Sequence, residues 1–226
     1  MSPRLAAAFV TGLALPMIAA MAALPRHGSP DQPIHTHVAR EYIESGPEVG
    51  NLVTAVLLDY RGMDTFGEVV VIFAALMAVL VLGGRREPAT APDVPPSPIV
   101  AFIVRLLTPF IALFGFHVIL TGHEAPGGGL QGAAVLGGLV LLNGLVFGPE
   151  HARKLLPTRL LPSLQGAGPL AFLAAGMVGG IVTGFALGYP AHLPLLHEAM
   201  VVGVEVGIGI GGALIFSRIY LALEGG

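Results

Sequence analysis

The chain has 226 residues, of which 54% are hydrophobic and only 11% are charged, and its mean hydropathy is +0.80. Soluble domains carry about 25% charged residues, so the composition excludes an ordinary water-soluble protein and predicts an all-α integral membrane protein with about six spans of roughly 20 residues each. The net charge of −3 argues against a nucleic-acid partner. The sequence contains no cysteine, which excludes disulfides, thiolate metal sites and thiol nucleophiles.

The first apolar run, residues 5–24, is predicted to be a membrane span. A cleaved signal peptide is the alternative, because residues 20–22 resemble a small-residue cleavage site. A polar segment follows in residues 25–46, with His27, His35 and His37. No regular ligand spacing links these histidines to a second cluster, so a solvated loop is favoured over a metal site.

Residues 49–58 are apolar but too few to cross a bilayer, and they predict a short surface or re-entrant helix. A polar turn and a second span, residues 65–84, come next. Residues 85–98 contain five prolines and two arginines, which rule out a buried helix. The chain is therefore predicted to comprise a two-span module in residues 1–86, a linker in residues 87–98 and a four-span module in residues 99–226.

The four spans of the second module are predicted at residues 99–121, 128–148, 168–188 and 200–223. If the N-terminus is cytoplasmic, eight of the 11 lysine and arginine residues fall on the inner side of the cell membrane. Both termini are therefore predicted to be cytoplasmic, and the polar segments 59–64 and 121–132 share the outer face.

Two rows of glycines, each spaced four residues apart, predict faces for close helix packing. The fifth span carries the longer row, Gly176, Gly180, Gly184 and Gly188. The sixth span carries Gly203, Gly207 and Gly211.

Glu205 lies within the sixth predicted span, where a charge costs about 3 kcal/mol on insertion scales. Gly209 and Gly212 lie on the same helical face and are expected to leave room for water or another polar group. One interpretation is a carboxylate that handles protons or ions. The other is a glutamate that is hydrogen-bonded to a neighbouring helix for packing, and the sequence leaves both open.

Glu68 lies near the start of the second span. Thr65 to Glu68 matches the capping box, in which a glutamate at the third helical position bonds the amide of the N-cap residue. The capping role is favoured, with Arg61 and Asp64 as polar neighbours in the preceding turn. The alternative is that Glu68 is an acid beside an ion path.

The hinge between the third and fourth spans reads TGHEAPGGGLQG, residues 121–132. His123, beside Glu124, is a candidate for proton handling because histidine changes charge near neutral pH. The hinge contains three consecutive glycines, Gly127, Gly128 and Gly129, which can present backbone amides to an anion. The favoured interpretation is instead a tight turn that lets the two flanking helices pack closely. No lysine followed by serine or threonine comes after them, so the motif is not a nucleotide-binding P-loop.

The remaining polar residues have simpler predicted roles. His117 and Asn143 are expected to form hydrogen bonds between helices. Arg105 is expected to extend to the inner headgroups or to pair with an acid of a partner subunit. The last outer loop is expected to hold three solvated side chains: His192, His197 and Glu198.

Three stretches together resemble the B subunit of Mrp-type multisubunit sodium/proton antiporters: residues 105–115 (RLLTPFIALFG), 122–132 (GHEAPGGGLQG) and 205–209 (EVGIG). That family is a four-span protein whose hinge reads His-x-x-Pro-Gly-Gly-Gly-Phe-Gln-Gly, and Leu130 replaces the aromatic residue here. The resemblance covers residues from about 99 to the C-terminus.

Residues 51–68 (NLVTAVLLDYRGMDTFGE) resemble a second element, the C-terminal part of the Mrp A subunit and the small E-type subunit of membrane-bound hydrogenases. This resemblance covers about residues 1–86. It implies that an acid at the position of Glu68 belongs to an ion pathway.

The two resemblances imply a membrane subunit of a sodium/proton antiporter assembly, with other membrane subunits as partners. Glu68 and Glu205 would exchange a proton for sodium, and no cofactor, metal site or covalent chemistry is expected. The alternatives are the same module within a membrane-bound hydrogenase or related redox-driven pump, and a purely structural membrane spacer.

Overall fold

The computed structural model describes residues 50–82, 96–156, 161–190 and 192–224, together with the helical residues Leu15, Ile18, Ala19 and Ala22. These four belong to one compact unit, Met1–Gly46, and the other described residues belong to a second, Pro47–Gly226. The rest of the predicted first span, the signal-peptide alternative, the three histidines of residues 25–46 and most of the proline-rich linker lie outside the described residues.

The second unit is built from helices, and the part of it that the structure describes contains no strand. Helix α1, Leu52–Ala55, continues directly into a π-helix, Val56–Tyr60. We refer to these two as the short helix. The other helices are α2 (Gly62–Leu82), α3 (Pro98–Leu120), α4 (Gly129–Phe147), α5 (Pro149–Lys154), α6 (Leu161–Gln165), α7 (Ala167–Thr183) and α8 (Pro194–Leu223).

Within the described ranges, α2, α3, α4 and α8 are long and apolar enough to cross a membrane. The all-α membrane class and the predicted short helix are confirmed, whereas the count of six spans is not. The predicted fifth span is too long: α7 has 17 residues and ends before Gly184, whose φ of +82° is the left-handed conformation that terminates helices. At 1.5 Å per residue α7 is about 26 Å long, slightly shorter than the bilayer core.

Helix α8 is the centre of the unit. It has 30 residues and is the most buried of the candidate spans. Its start at Pro194 lies six residues before the predicted start, because proline is well suited to the first turn of a helix. The short helix, α2 and α7 contribute to one hydrophobic cluster with α8, which includes Leu58, Val69, Phe172 and Val204. The predicted boundary at residues 87–98 remains a prediction, since α2 packs within the same unit as α8.

The glycine row of α8 packs as predicted at two of its three positions. An added Cβ would lie 2.6 Å from Ala171 Cβ at Gly207, and 3.1 Å from the Gly168 nitrogen of α7 at Gly211. At Gly203 it would meet open space. Close packing of α8 on α7 therefore depends on Gly207 and Gly211 and not on Gly203.

The glycine row predicted for the fifth span is wrong as a packing face. Added Cβ atoms at Gly180 and Gly184 would meet nothing within 4 Å, and Gly184 and Gly188 lie beyond the end of α7. The close contacts of α7 run instead through Gly168, against Val69 and α8, and through Gly179, against the Gly188 backbone.

Of the polar residues predicted to join helices, Asn143 is confirmed. Its amide donates to Thr108 Oγ1 of α3 at 3.2 Å and to the Leu139 carbonyl at 2.9 Å. His117 is exposed on α3, so the prediction is wrong for that residue. The Arg105 guanidinium lies 5.1 Å from the centroid of the Phe147 ring, a cation–π contact that connects α3 to the end of α4. The predicted headgroup or partner contact of Arg105 stays a prediction.

The packing of α8 on α7 gives a matched pair of tests on one helix. We expect Gly207→Ala to lower the free energy of unfolding by about 1–3 kcal/mol, because the new methyl group meets Ala171 Cβ and the Ala167 carbonyl oxygen and overpacks the contact. Gly203→Ala should have no cost, since its methyl group has open space. Thermal unfolding in mild detergent measures both, and equal midpoints would contradict the predicted contact.

Candidate functional site

Glu205 is buried in the middle of the helical unit, with 4% of its surface exposed. It lies on α8 about three turns after Pro194, farther from the helix start than the predicted span of residues 200–223 would place it, because α8 begins earlier than predicted. Two further segments meet it: the short helix and the hinge, residues 121–132, of which residues 121–128 connect α3 to α4. A carboxylate is therefore enclosed by three separate parts of the chain.

The Thr54 hydroxyl connects Glu205 to the hinge. Thr54 Oγ1 lies 3.1 Å from Glu205 Oε1 and 2.7 Å from the carbonyl oxygen of Gly122. A hydroxyl has one proton to donate. When Thr54 donates to Gly122, its contact with Glu205 is a hydrogen bond only if Glu205 is protonated and donates in turn. When Glu205 is ionised, the hydroxyl rotates to donate to it.

Asn51 holds the hinge in place beside this site. Its side-chain amide donates to the carbonyl oxygens of Gly122 at 2.7 Å and Ala125 at 2.8 Å, and its backbone amide donates to the His123 carbonyl at 3.0 Å. Its Oδ1 accepts the Val53 amide at the start of the short helix. Because Asn51 also bonds Gly122, that carbonyl keeps a partner when Thr54 turns towards Glu205.

The second carboxylate oxygen, Glu205 Oε2, is buried and has no hydrogen-bond partner in the described part of the chain. Orphaned buried oxygens are uncommon, and each one calls for an explanation such as a bound ion or a functional role. Glu205 therefore has one oxygen held by Thr54 and one oxygen free for a proton, a cation or a water molecule.

The hinge glycines allow the backbone to approach Glu205 closely. An added Cβ would lie 2.8 Å from Glu205 Oε1 at Gly122 and 3.4 Å from it at Gly128, whose φ is +135°. At Gly129 it would collide with the Glu205 carbonyl oxygen, and at Gly127 it would lie 2.9 Å from that of Val118. The tight-turn interpretation accounts for these contacts, and the Gly128 amide is already bonded to Val118 rather than available to an anion.

The glycines on the Glu205 face of α8 do not leave the room that was predicted. An added Cβ at Gly209 would lie 2.6 Å from Ile119 Cδ1 of α3, and one at Gly212 would lie 2.9 Å from Ala133 Cβ of α4. These two glycines allow α3 and α4 to pack tightly on α8, on the C-terminal side of Glu205. In the described ranges, the polar partner of the Glu205 side chain is Thr54 of the short helix, which also bonds the Gly122 carbonyl of the hinge.

His123 lies in the hinge, with its imidazole facing two exposed acids. Its Nε2 is 3.9 Å from Glu124 Oε1 and 3.8 Å from Glu198 Oε1, distances that make ion pairs only when the imidazole is protonated. Among the described residues, Glu205 is not within ion-pair distance of it. His123 thus lies in the segment next to Glu205, but its imidazole is not within ion-pair distance of the Glu205 carboxylate.

The capping box predicted at Glu68 is wrong. Helix α2 begins at Gly62, so Thr65 lies inside the helix, and its hydroxyl donates to the Leu57 carbonyl at 2.7 Å. The amides of Asp64 and Thr65 already bond the Arg61 carbonyl, because the short helix leads directly into α2. The Glu68 side chain is exposed, and Arg61 pairs with Asp64 at 2.6 Å.

A second buried polar cluster was missed by sequence reasoning. His197, expected to be solvated, is only 3% exposed, and its Nε2 lies 3.3 Å from Asp59 Oδ1 of the short helix. Tyr189 lies in the loop before α8, and the centroid of its ring is 5.5 Å from the centroid of the His197 imidazole. Burial, and to a lesser extent the Asp59 charge, raise the pKa of the Tyr189 phenol, which stays neutral. His192 and Glu198 are exposed, as expected.

The misplaced His197 follows from the start of α8. Pro194 is suited to the first turn of a helix, and this signal alone would have moved the predicted start of α8 before His197. Its pairing with Asp59 depends on tertiary packing and has no sequence signature.

The fold and this site define a multi-pass membrane protein with an enclosed, partly unsatisfied carboxylate. A family model described as the domain related to the MnhB subunit of the Na+/H+ antiporter matches residues 99–223, which is more than half of the chain. The chain therefore belongs to the MnhB-related family. A second model, described as the E subunit of MBH, matches residues 5–97.

Similar proteins extend this assignment. The B subunit of the Na+/H+ antiporter of Bacillus subtilis is 36% identical over 80 residues, which cover 35% of this chain and 54% of that protein. A chain of the membrane-bound sulfane sulfur reductase, an archaeal respiratory membrane complex, matches with a TM-score of 0.59 and 26% identity over 94% of this chain and 96% of its own length. A chain of the Mrp complex from Dietzia sp. DQ12-45-1b has the same TM-score at 23% identity, over 97% of this chain and 26% of that longer chain, and this likeness concerns the fold alone.

The hydrogen bonds of Asn51 predict a local stability effect. We expect Asn51→Ala to lower the free energy of unfolding by about 1–3 kcal/mol, because Ala125 and Gly122 lose a buried donor. Thr121→Ala removes a hinge hydroxyl that bonds the His117 carbonyl at an exposed position, and should cost about 0.5 kcal/mol. Thermal unfolding in detergent compares the two, and an equal loss would show that Asn51 does not hold the hinge.

Proposed function

We propose that this chain is a membrane subunit of a multisubunit Na+/H+ antiporter complex and that Glu205 is a carboxylate which exchanges a proton for sodium. Membership of the MnhB-related family and the likeness to the Bacillus subtilis antiporter protein support the first part. The observation that carries the second is the burial of Glu205 between the hinge and the short helix, with Oε2 unpartnered among the described residues.

The chemistry around Glu205 suits both ions. A carboxylate binds a proton covalently and also binds hard cations through oxygen. Further oxygens lie close by, because Thr54 Oγ1 is 3.1 Å from Glu205 Oε1 and 2.7 Å from the Gly122 carbonyl oxygen. Membrane transporters use non-helical backbone carbonyls at cavities in the same way to coordinate sodium.

Burial favours exchange over simple release. An ionised carboxylate that is isolated in a membrane interior is costly, whereas a protonated or cation-bound carboxylate is neutral. Glu205 therefore gains little by giving up one cation unless another replaces it. The Thr54 hydroxyl accommodates both forms by turning between Glu205 and Gly122, and Asn51 keeps the hinge closed in each.

Glu68 and His123 are proposed as ion-handling groups around this centre. Glu68 is exposed on the first turns of α2 and is therefore accessible to a partner subunit or an ion path. His123, with Glu124 and Glu198, makes a titratable rim beside the hinge. Arg61 and Asp64 form a charged turn at the same end of α2. We further propose that this end faces outward and both termini face the cytoplasm, because most basic residues then fall inside.

The role proposed is transport within an assembly, without covalent chemistry or a cofactor. The structural relatives are multisubunit membrane complexes, so other membrane subunits are partners of this chain. One surface suited to such a partner is the exposed side of α3, which presents several large apolar side chains: Phe102, Leu106, Phe110, Leu113 and Phe114.

A redox-driven pump is the second candidate. The sulfane sulfur reductase chain matches nearly the full length of this one, and residues 5–97 match the E subunit of MBH. In such a complex Glu205 would keep its role, while the power source would lie in other subunits. A structural spacer is the third candidate, in which Glu205 serves packing alone.

Replacing Glu205 tests the ion-handling role. In the assembled complex in membrane vesicles, we expect Glu205→Gln to lower sodium-dependent proton exchange by at least about a hundredfold, because glutamine cannot exchange a proton for a cation. The amide keeps the size of the side chain and can bond Thr54, so assembly should persist. Co-purification of the other subunits checks assembly in the same preparation.

Glu150→Gln is the matched control. Glu150 is an exposed acid on α5 that pairs with Arg153 at 2.7 Å, and exchange should remain unchanged without it. Normal exchange by an assembled Glu205→Gln complex would leave only the spacer interpretation.

Purification of the complex from native membranes in mild detergent distinguishes the two candidate assemblies. We expect this chain to co-purify with large antiporter-like membrane subunits and without redox proteins. Subunits that carry metal centres, identified by mass spectrometry and metal analysis, would assign the chain to a redox-driven pump instead.

A further inference from the structure

The geometry of the short helix points to a second functional contact, between Asp59 and His197. We infer that this pair is a positioning anchor: it holds the short helix against α8 and thereby keeps the Thr54 hydroxyl on Glu205. The inference rests on the proposed role of Glu205.

The π-helical turn places Asp59 where it can serve this purpose. The Arg61 amide donates to the Val56 carbonyl five residues earlier, at 2.9 Å, which defines the wider π-turn. In an α-helix Thr54 and Asp59 would be about 140° apart and could not both face α8. The π-turn reduces this angle, and π-turns of this kind are frequently found at functional sites.

The short helix therefore contacts α8 through polar groups at two levels. Thr54 meets Glu205 at 3.1 Å and Asp59 meets His197 at 3.3 Å, so the two helices run in opposite directions. His197 and Glu205 are eight residues apart on α8, or about 12 Å along its axis. The anchor consequently acts on Glu205 through the short helix and not by direct contact.

The layer between these two levels is apolar. Ala55 and Leu58 of the short helix and Val201 and Val204 of α8 are all buried in one cluster. Such contacts are not directional, so the orientation of the short helix depends on its polar contacts. Asp59 Oδ1, 3.3 Å from Nε2 of the buried His197, adds a polar contact at the far end of the short helix from Thr54, and this contact is a charged pair when the imidazole is protonated. The Tyr189 ring covers the imidazole from the adjoining loop.

The anchor pair differs from Glu205 in what it offers to an ion. The His197 imidazole lies 3.3 Å from Asp59 Oδ1, without hydrogen-bond geometry, and repels a cation when it is protonated. Glu205 Oε2 has neither a hydrogen-bond partner nor an ion-pair partner in the described ranges. The pair is thus expected to affect how well sodium is held at Glu205 and to leave the maximal rate of exchange nearly unchanged.

Sodium kinetics in vesicles that contain the assembled complex test this inference. Asp59→Asn and His197→Gln should each raise the KM for Na+ about tenfold, with kcat within about twofold. The double variant should be no worse than either single one, because the two residues act as a pair. Exchanging the residues, Asp59→His together with His197→Asp, should restore the KM to within about threefold.

His192→Gln is the matched control, since His192 is an exposed histidine five residues before His197, and it should leave both constants unchanged. A KM that does not change in the single variants would overturn the inference. Additive losses in the double variant, with no rescue on exchange, would also overturn it.

A second measurement does not depend on transport. The sequence has no cysteine, so Ala55→Cys introduces a single reporter at a position in the short helix that is 3% exposed. N-ethylmaleimide should label it about tenfold faster when His197→Gln is added, and no faster when His192→Gln is added. Faster labelling supports the anchor even if Glu205→Gln leaves exchange intact and the proposed function fails, and unchanged labelling overturns the anchor.

Discussion

The enclosed carboxylate of Glu205 is the constraint on which the rest of this unit depends. A glutamate 4% exposed within an apolar bundle is stable only if polar groups reach it, and helical backbone cannot supply them because its own amides and carbonyls are bonded within the helix. The chain resolves this by interrupting its helices: the short helix supplies the Thr54 hydroxyl, which lies between Glu205 Oε1 and the Gly122 carbonyl oxygen of the hinge. Both non-spanning segments are thus explained by one side chain on α8.

Close packing makes this arrangement geometrically possible. The hinge lies against Glu205 because Gly122, Gly128 and Gly129 have no side chains, and α3 and α4 pack on α8 at Gly209 and Gly212. In a membrane these contacts depend on dispersion forces and not on water exclusion between helices. The same glycines therefore stabilise the bundle and determine which atoms surround the carboxylate, so the packing and the surroundings of Glu205 cannot be altered independently.

The sequence predicted those parts of the fold that depend on local composition. Apolar runs identified α2, α3, α4 and α8 as spans, the short length of residues 49–58 predicted the short helix, and the buried glutamate was evident from its place in an apolar segment. The errors arose where helices begin and end. Helix α2 begins at Gly62, which removes the capping box predicted at Glu68, and α8 begins at Pro194, which places His197 in the interior. The left-handed conformation of Gly184 ends α7 earlier than predicted. Helix ends are decided by single backbone conformations and by tertiary contacts, which composition does not record.

The contacts that complete the site could not be predicted for a different reason. Thr54 and Glu205 are 151 positions apart and Asn51 and Gly122 are 71 apart, and no local pattern connects residues at such separations. The π-turn of Val56–Tyr60 is equally invisible in an apolar segment that is compatible with an ordinary α-helix. Yet it is this local widening that directs Thr54 and Asp59 to the same helix. A π-turn stabilises a chain less than regular α-helix does, so its presence beside a buried carboxylate argues that the position of these two side chains matters more than the stability of the short helix itself.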